Sequence, residues 1–308
     1  MSKNLATLIG FSAILQWSSI VGLLKKISFT LGPDLSVLFM YSFSAVILLL
    51  LFRIPNLKQV PRNYLFFATI LFVVYELCFS YAIALAQTAQ QAIEISLVNY
   101  LWPSLTIAAL ILFKELKFNF FVIIGLANSL SGIVLIQTGN ESFNWATVFA
   151  NVQMNPISYI LAFLGASLWA LYCVITRKYS QGHNPIAFFF LVISFVLWLK
   201  MLVFHGIPEI PHIDLNTGIL MLMVSTVTAL GYAAWNIGII KGNITILVTL
   251  SYFSPIFSSL ISMFILQTNL SLSFWHGAIL VTVGSLICWI STSWPQIKTK
   301  LQLLKSAH

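Results

Sequence analysis

Two glutamates lie inside long apolar runs of the sequence, where a carboxylate is costly unless polar groups surround it. Glu76 lies in the run from Tyr64 to Ala86, about 11 residues or about 16 Å from the end of that run. A charged group at the centre of a bilayer costs at least about 3 kcal/mol, so such a residue is a functional candidate by default. We expect Glu76 to bind a ligand's amino group, to carry a proton or to hold helices together by hydrogen bonds. Glu94 lies only a few residues inside the next run and is either functional or an interfacial residue in contact with water.

Aromatic and amide side chains recur at similar depths in several of these runs. Side chains three or four residues apart share one face of a helix, which places Trp169 with Tyr172, and Tyr232 with Trp235 and Asn236. A ring with a polar tip suits a cavity that is apolar and still able to form hydrogen bonds. The alternative is packing or an interfacial belt, which we accept for Trp275, Trp289 and Trp294. The cavity candidates are Trp17, Asn99, Tyr100, Trp102, Trp169, Tyr172, Tyr232, Trp235 and Asn236.

Two apolar runs contain a proline close to tyrosines and small polar residues. The string Asn99-Tyr100-Leu101-Trp102-Pro103 returns, altered, as Ser251-Tyr252-Phe253-Ser254-Pro255, 152 residues later. A proline inside a helix cannot donate its amide hydrogen bond, so Pro103 and Pro255 are predicted to bend their helices and to free the carbonyl four residues earlier. In a bilayer a freed carbonyl needs protein, water or a bound molecule as its partner. Ser251 and Tyr252 therefore join the cavity candidates.

The composition excludes a soluble globular protein. The chain has 308 residues, of which 59% are hydrophobic and 7% are charged, whereas an ordinary soluble domain has about 25% charged residues. Runs of about 20 apolar residues are long enough to cross a bilayer as helices. The sequence thus predicts an all-α integral membrane protein with ten spans: Leu5 to Leu24, Asp34 to Phe52, Tyr64 to Ala86, Ala92 to Phe113, Phe118 to Gln137, Ile157 to Ile175, Pro185 to Phe204, Gly218 to Ile240, Ile244 to Leu266 and Phe274 to Trp294.

The positive charges predict topology. The net charge is +8, and we interpret it as the excess of basic residues on cytoplasmic loops, without a role in binding nucleic acid. Both termini are then cytoplasmic. The outer side carries Lys25, Lys26 and Lys200, of which the first two are also expected to be snorkelling anchors. The inner side carries Lys3, Arg53, Lys58, Arg62, Lys114, Lys117, Arg177, Lys178, Lys241, Lys298, Lys300 and Lys305.

A fixed shift of 152 residues aligns the two halves of the chain without gaps. Five spans in each half make the second half enter the membrane from the opposite side, so the repeat is inverted and favours alternating access around a central cavity. We divide the chain into a first repeat at 1–139, an external segment at 140–156, a second repeat at 157–294 and a basic cytoplasmic tail at 295–308. The external segment is either a short interfacial helix or a simple linker. Aligned pairs include Trp17 with Trp169, Lys26 with Lys178, Pro33 with Pro185, Ala82 with Ala234, Tyr100 with Tyr252, Pro103 with Pro255, Gly125 with Gly277 and Gly132 with Gly284.

Several strings of the sequence resemble those of one transporter family. They are Gln16-Trp17-Ser18-Ser19-Ile20-Val21-Gly22, Ala92-Ile93-Glu94 with the proline string that follows, Tyr232-Ala233-Ala234-Trp235-Asn236 with Gly242-Asn243-Ile244-Thr245, and Ser251-Tyr252-Phe253. From about Ala6 to Trp294 the chain resembles the bacterial aromatic amino acid exporters of the drug/metabolite transporter superfamily (EamA type). The resemblance implies ten spans in two inverted repeats, an inner-membrane location, and a cavity lined by the first, third, fourth, sixth, eighth and ninth helices.

One position departs from that superfamily. Many members carry a Glu after the fourth helix of each repeat. Glu115 fits this pattern in the first half, whereas Gln267 stands at the matching position of the second half. A mechanism that needs both acids is therefore disfavoured.

The residues of the apolar runs also limit the chemical class of the transported solute. A phosphorylated solute needs Lys or Arg in the cavity, and no run holds a basic residue at its centre. A neutral, zwitterionic or cationic solute with apolar bulk fits better, such as an amino acid. Glu76 and freed carbonyls would meet its ammonium, Asn99, Asn236 and tyrosine hydroxyls its carboxylate, and aromatic walls its side chain.

Three other functions compete with amino acid export. The first is transport of a lipophilic cation or another positively charged metabolite, with Glu76 or Glu94 as counterion. A passive channel is less compatible with an inverted repeat that has central prolines. An intramembrane enzyme lacks support, since the sequence has neither HExxH nor G-x-S-x-G. We predict no metal or cofactor, no disulfide, and as partners only the lipid bilayer and a small solute, with no obligatory protein partner.

Overall fold

The computed structural model describes residues 1–51, 56–114, 117–137, 144–211 and 213–305. Within these ranges the regular structure is helical, with no strand, and a short 3₁₀ turn lies at Leu57–Gln59. The helices are α1 (Lys3–Leu51), α2 (Arg62–Ala84), α3 (Ala89–Asn99), α4 (Trp102–Leu112), α5 (Phe120–Ile136), α6 (Trp145–Met154), α7 (Pro156–Tyr179), α8 (Ile186–Phe204), α9 (Leu215–Lys241), α10 (Ile244–Ser251), α11 (Ser254–Leu266) and α12 (Leu272–Lys305).

The described helices are those of a multi-pass membrane protein. Seven of them are long and apolar enough to cross a bilayer, counting α3 and α4 as one, and α5 and α11 are shorter apolar helices. The prediction of an all-α membrane fold is therefore confirmed at this level.

The first helix is broken at Gly32. Helix α1 has 49 residues and would extend about 74 Å if it were straight, more than twice the thickness of a hydrocarbon core. Gly32 has φ 76° and ψ 168°, which no right-handed helix contains. Glycine tolerates this conformation, and Pro33 keeps the residue before it out of the helical region. The two runs that the sequence predicts as separate spans are the two segments of α1 on either side of Gly32.

Each proline string contains a gap between two helices. Helix α3 ends at Asn99 and α4 begins at Trp102, while α10 ends at Ser251 and α11 begins at Ser254. The sequence predicted one bent helix at each place. In the first string the segment 89–112 is one apolar helix in which Tyr100 and Leu101 keep φ of −70° and −69°, so the interruption is a bend within a span. In both strings the proline is the second residue of the helical segment that follows.

Two segments with no predicted span are also helical. The external segment contains α6, and the Asn144 side chain caps it by accepting a hydrogen bond from the Ala146 amide at 2.9 Å. Trp145 and Phe149 of α6 are exposed whereas Val148 is buried. At the C-terminus α12 continues to Lys305, beyond the boundary predicted at Trp294. Lys, Leu and Gln, which favour helix, are frequent between residues 296 and 305.

Helices α5 and α12 pack with their backbones in close contact. A Cβ added to Gly284 would lie 2.4 Å from the carbonyl oxygen of Gly125, and one added to Gly125 would lie 2.6 Å from the carbonyl oxygen of Gly284. Gly132 and Gly277 contact each other in the same reciprocal way, at 2.6 and 2.5 Å. Any side chain at these four positions would force the two helices apart.

Several hydrogen bonds join residues that are 152 positions apart. Two of them lie between α5 and α12, and the third joins α1 to α8. They are Asn128 Nδ2 to Leu280 O at 3.0 Å, Ser129 Oγ to Val281 O at 3.3 Å, and the Ser42 and Ser194 hydroxyl pair at 3.2 Å.

The lysines that follow the first apolar run bind helix ends. Lys25 is only 3% exposed, and its Nζ donates to the carbonyl oxygens of Ala84, at 3.2 Å, and Ala86. Lys26 Nζ donates to the carbonyl oxygen of Ile265 at 3.3 Å. The last carbonyls of a helix lack amide donors within the helix, and lysine supplies one. The expectation that Lys25 is a snorkelling anchor is therefore wrong, because its ammonium is buried against the end of α2.

A second polar cluster joins α1, α2 and α8. The Asp34 carboxylate pairs with Lys200 Nζ and accepts a hydrogen bond from Tyr81 OH at 2.7 Å. Lys200 Nζ also lies 3.0 Å from Tyr81 OH. The cluster ties the segment after Gly32 to two other helices.

The glycine contacts of α5 and α12 give a stability prediction. Gly284→Ala places a methyl group 2.4 Å from a backbone oxygen, and overpacking of this kind destabilises by about 1–3 kcal/mol. We expect a lower midpoint of thermal unfolding in detergent. Gly218→Ala is the control, because a Cβ there would lie 3.8 Å from its nearest neighbour, Ile213. Equal midpoints for the two variants would contradict this account of the contact.

Candidate functional site

A cavity of about 340 Å³ lies among the helices, with aromatic rings on its walls. Ten of the twenty lining residues in the described part of the chain are aromatic, so ring faces and edges form a large part of the wall. The lining residues come from both segments of α1 and from α2, α3, α4, α7, α9, α10, α11 and the two interhelix gaps. Ten residues singled out from the sequence line it: Trp17, Glu76, Asn99, Tyr100, Trp102, Trp169, Tyr232, Trp235, Ser251 and Tyr252.

The two proline strings contribute to the same cavity. In the first string the lining residues are on both sides of the gap between α3 and α4, and in the second they are on both sides of the gap between α10 and α11. A helix that ends inside the bundle turns its last side chains and its backbone toward the space between helices. The prolines therefore shape the cavity indirectly, by starting new helices there, and neither is a lining residue.

Glu76 is a lining residue whose two carboxylate oxygens both accept hydrogen bonds. It is 4% exposed. Tyr41 OH donates to Oε2 at 2.5 Å, and Tyr232 OH donates to Oε1. The Ser80 hydroxyl lies 2.8 Å from the Tyr41 oxygen. The carboxylate thus joins α2 to α9 and to the second segment of α1, which is the helix-holding role among the three that the sequence left open. Binding of an amino group and carriage of a proton stay predictions.

The aromatic residues around Trp169 and those around Trp17 are joined by Phe72, whose ring lies 6.4 Å from Trp169 and 5.8 Å from Tyr232. Trp169 of α7 lies 4.6 Å from Tyr75 and 4.9 Å from Tyr172, measured between ring centroids, and meets Trp102 edge-on at 6.3 Å. Trp17 of α1 lies 5.2 Å from Tyr232 and 5.3 Å from Trp235. Edge-on and offset pairs at these distances are favourable and rigid. The rings support one another and hold the shape of the wall.

Some candidates lie elsewhere. Glu94 is 9% exposed and accepts a hydrogen bond from Gln90 Nε2 at 2.8 Å, but it does not line the cavity. Tyr172 stacks behind Trp169 without reaching the lining. Asn236 lies in α9, and its side chain is outside the described part of the structure, as is the whole of Glu115.

The structure adds lining residues that the sequence reasoning missed. Met40 and Tyr41 come from the second segment of α1, a helix outside the set of six that the resemblance implied. Tyr75 is adjacent to Glu76 and faces the cavity with it. A tyrosine in the middle of an apolar run was the available signal, because its hydroxyl needs a partner there. The remaining additions are Ile20, Phe79, Ser80, Thr106, Cys173, Thr228 and Ser254.

The lining residues are suited to binding a solute. Glu76 is their one acid, and no Lys, Arg or His is among the residues described as lining the cavity. In the described part of the chain, no three His, Cys, Asp or Glu side chains group in a way that would hold a metal ion. Aromatic faces, hydroxyls and one carboxylate fit a molecule with an apolar body and polar ends.

The family of this chain follows from its similarity to known proteins. The EamA-like transporter family matches residues 156–290. The aromatic amino acid exporter YddG of Salmonella typhimurium is 41% identical over 95% of this chain and 99% of its own, and that of Escherichia coli is 40% identical over the same shares. The chain belongs to the EamA-like transporter family. The YddG of Ancylobacter novellus is 25% identical over 85% of this chain and 88% of its own.

A solved structure supports the fold of this transporter. A crystal structure of a protein 22% identical to it superposes with a TM-score of 0.66, over 93% of this chain and 97% of the other. At this identity the likeness concerns the fold alone. Membership of the family makes the chain a transporter and not an enzyme, in agreement with the sequence analysis.

The contacts of Glu76 predict coupled effects of two tyrosines. Tyr41→Phe and Tyr232→Phe each remove one donor from a buried carboxylate, which we expect to destabilise the protein by about 1–2 kcal/mol. In a Glu76→Gln background the same changes should cost less, because the amide has one acceptor oxygen where the carboxyl group has two. The midpoint of thermal unfolding in detergent measures the loss of stability in each single and combined variant. Tyr179→Phe, at an exposed tyrosine, is the control, and strictly additive losses would contradict the shared network.

Proposed function

We propose that this transporter exports aromatic amino acids and related apolar amino acids across the cytoplasmic membrane. The observation that carries the proposal is the aromatic cavity with a single acid and no basic residue among its described lining. Its relatives over nearly the whole chain are named aromatic amino acid exporters. The direction of transport rests on these relatives.

The cavity wall offers a partner for each part of such a solute. The rings of Trp102, Trp169 and Trp235 provide apolar faces for the side chain. Hydroxyl groups of Tyr100 and Tyr252 are able to donate to a carboxylate. Glu76 provides negative charge toward the ammonium, although its oxygens already accept two hydrogen bonds. Of the thirteen residues singled out from the sequence, Glu94 and Tyr172 lie outside the described lining and are not proposed to contact the solute, and the other eleven stay candidates for binding.

We further propose ten spans in two inverted repeats that work by alternating access. Helix α1 provides two of the spans, since it breaks at Gly32. The short apolar α5 provides another, and α10 with α11 forms one more across the proline gap. Hydrogen bonds between residues 152 positions apart support a twofold relation between the halves, because only residues near such an axis meet their own counterparts. The transporter then lies in the inner membrane with both termini in the cytoplasm.

Efflux from loaded vesicles tests the substrate. Proteoliposomes with the purified protein are filled with labelled tryptophan, phenylalanine or aspartate. We expect release of the two aromatic amino acids well above that from empty liposomes, and no release of aspartate, since the described lining has no basic residue. Trp169→Ala should slow tryptophan release about tenfold, which corresponds to about 1.4 kcal/mol of lost ring contact. Release of neither tryptophan nor phenylalanine would contradict the proposal.

The second candidate substrate is a lipophilic cation, favoured by aromatic faces next to one carboxylate. A labelled aromatic cation in the same vesicles separates the two. Release of the cation alone assigns the cavity to cations, and release of the amino acids alone assigns it to zwitterions.

The two membrane glutamates should differ in their effects on transport. Glu76→Gln changes a lining residue and removes its charge, so we expect the concentration of tryptophan at half-maximal efflux to rise about tenfold or more. Glu94→Gln changes a side chain outside the lining and keeps its size, so this concentration should stay within about twofold of wild type. Unchanged efflux by Glu76→Gln would reduce Glu76 to a structural role.

A further inference from the structure

Gly231 of α9 lies directly against the indole of Trp17. A Cβ at position 231 would lie 2.7 Å from Trp17 Nε1 and 2.8 Å from its Cδ1. Real Cβ atoms do not approach other atoms this closely, so any side chain at 231 displaces the indole or the helix. The indole edge therefore packs directly on the backbone of α9. This contact is possible because residue 231 has no side chain.

Trp17 lies between α9 and the cavity. Its ring edge faces α9, and Trp17 Nε1 is buried there without a hydrogen-bond partner. Tyr232 and Trp235, both on α9, contact the same indole at 5.2 and 5.3 Å between centroids. Trp17 also lines the cavity. An indole is rigid, so an indole pushed off position 231 moves toward the cavity.

The matching place in the other half of the chain is filled. The shift of 152 residues pairs Trp17 with Trp169, and it pairs Phe79 with Gly231. Phe79 is itself a lining residue, and Trp169 stacks against Tyr75. The Trp17 side of the cavity therefore has bare backbone behind its indole, whereas the matching position in the other half carries a phenyl ring.

We propose that Gly231 is a specificity-determining residue, which lets Trp17 lie back against α9 and so leaves room for the largest aromatic side chain, an indole. The inference rests on the proposed function, since it concerns which aromatic amino acids the same cavity accepts. Gly231 itself does not line the cavity, so it acts by positioning Trp17.

The test is the ratio of tryptophan efflux to phenylalanine efflux, measured as competing substrates in proteoliposomes. One methylene group in an apolar pocket discriminates about 10- to 200-fold. For Gly231→Ala we expect the ratio to fall about tenfold or more, with phenylalanine efflux retained. Gly218→Ala is the matched control in the same helix, because a Cβ there would lie 3.8 Å from Ile213, and its ratio should equal that of wild type.

A double variant separates a steric effect from general damage to α9. Trp17→Phe combined with Gly231→Ala gives a smaller ring that fits beside the new methyl group, so we expect the ratio to return to within about threefold of the Trp17→Phe single variant. This comparison applies even where Gly231→Ala alone does not fold, because the double variant relieves the clash.

The outcomes distinguish this inference from the proposed function. Wild-type vesicles that release neither aromatic amino acid overturn the proposed function. If Gly231→Ala leaves the ratio of tryptophan to phenylalanine efflux unchanged, only the role of Gly231 is overturned. The same conclusion follows if the ratio falls in Gly231→Ala and the double variant does not restore it.

Discussion

The buried carboxylate of Glu76 is the constraint around which the bundle is arranged. An acid at this depth of a membrane protein is tolerated only when polar groups surround it, and here two tyrosine hydroxyls from different helices each donate to one of its oxygens. Tyr41 and Tyr232 therefore fix how the second segment of α1 and α9 approach α2. The same two tyrosines line the cavity, so the interaction that holds the helices together also shapes the wall a solute would contact.

Breaks in helices provide the second element of the site. Membrane helices satisfy their own backbone groups, and an interruption is tolerated where it is enclosed by protein or lines a cavity. The gaps between α3 and α4 and between α10 and α11 both adjoin the cavity. The proline in each case begins the following helix. These gaps bring tyrosines and small polar residues to a space that would otherwise be lined by aliphatic side chains.

Close contact between helices depends on glycine at several positions. Helices α5 and α12 meet through four glycines that contact in reciprocal pairs. In a membrane, small residues let helices approach closely and gain dispersion energy that larger side chains would prevent. Gly231 makes a similar approach possible between α9 and the side chain of Trp17. Glycine has therefore two uses here, one between two backbones and one between a backbone and an indole.

Much of the fold was determined by the sequence itself, because a bilayer imposes strong rules on composition. Apolar runs of about 20 residues predicted the long helices, and most helix ends agree with the predicted ends within a few residues. The break at Gly32 separates two runs that were predicted as separate spans. Tryptophan, tyrosine and amide residues at matching depths predicted seven of the lining residues, since polar-tipped rings are seldom placed in apolar runs without a partner. The acid in an apolar run and the second proline string predicted three more.

The tertiary structure decided which of those side chains meet. No local pattern indicated that Tyr41 would contact Glu76, 35 positions away, because that contact depends on how two helices rotate against each other. The burial of Lys25 likewise depends on the end of α2 lying next to it. Glu94 and Tyr172 have the same residue types as their neighbours in the cavity, yet helix rotation places them outside it. Sequence fixes depth along a helix through length, whereas the direction that a side chain faces depends on packing between helices, and this is why only the tertiary structure could define the site.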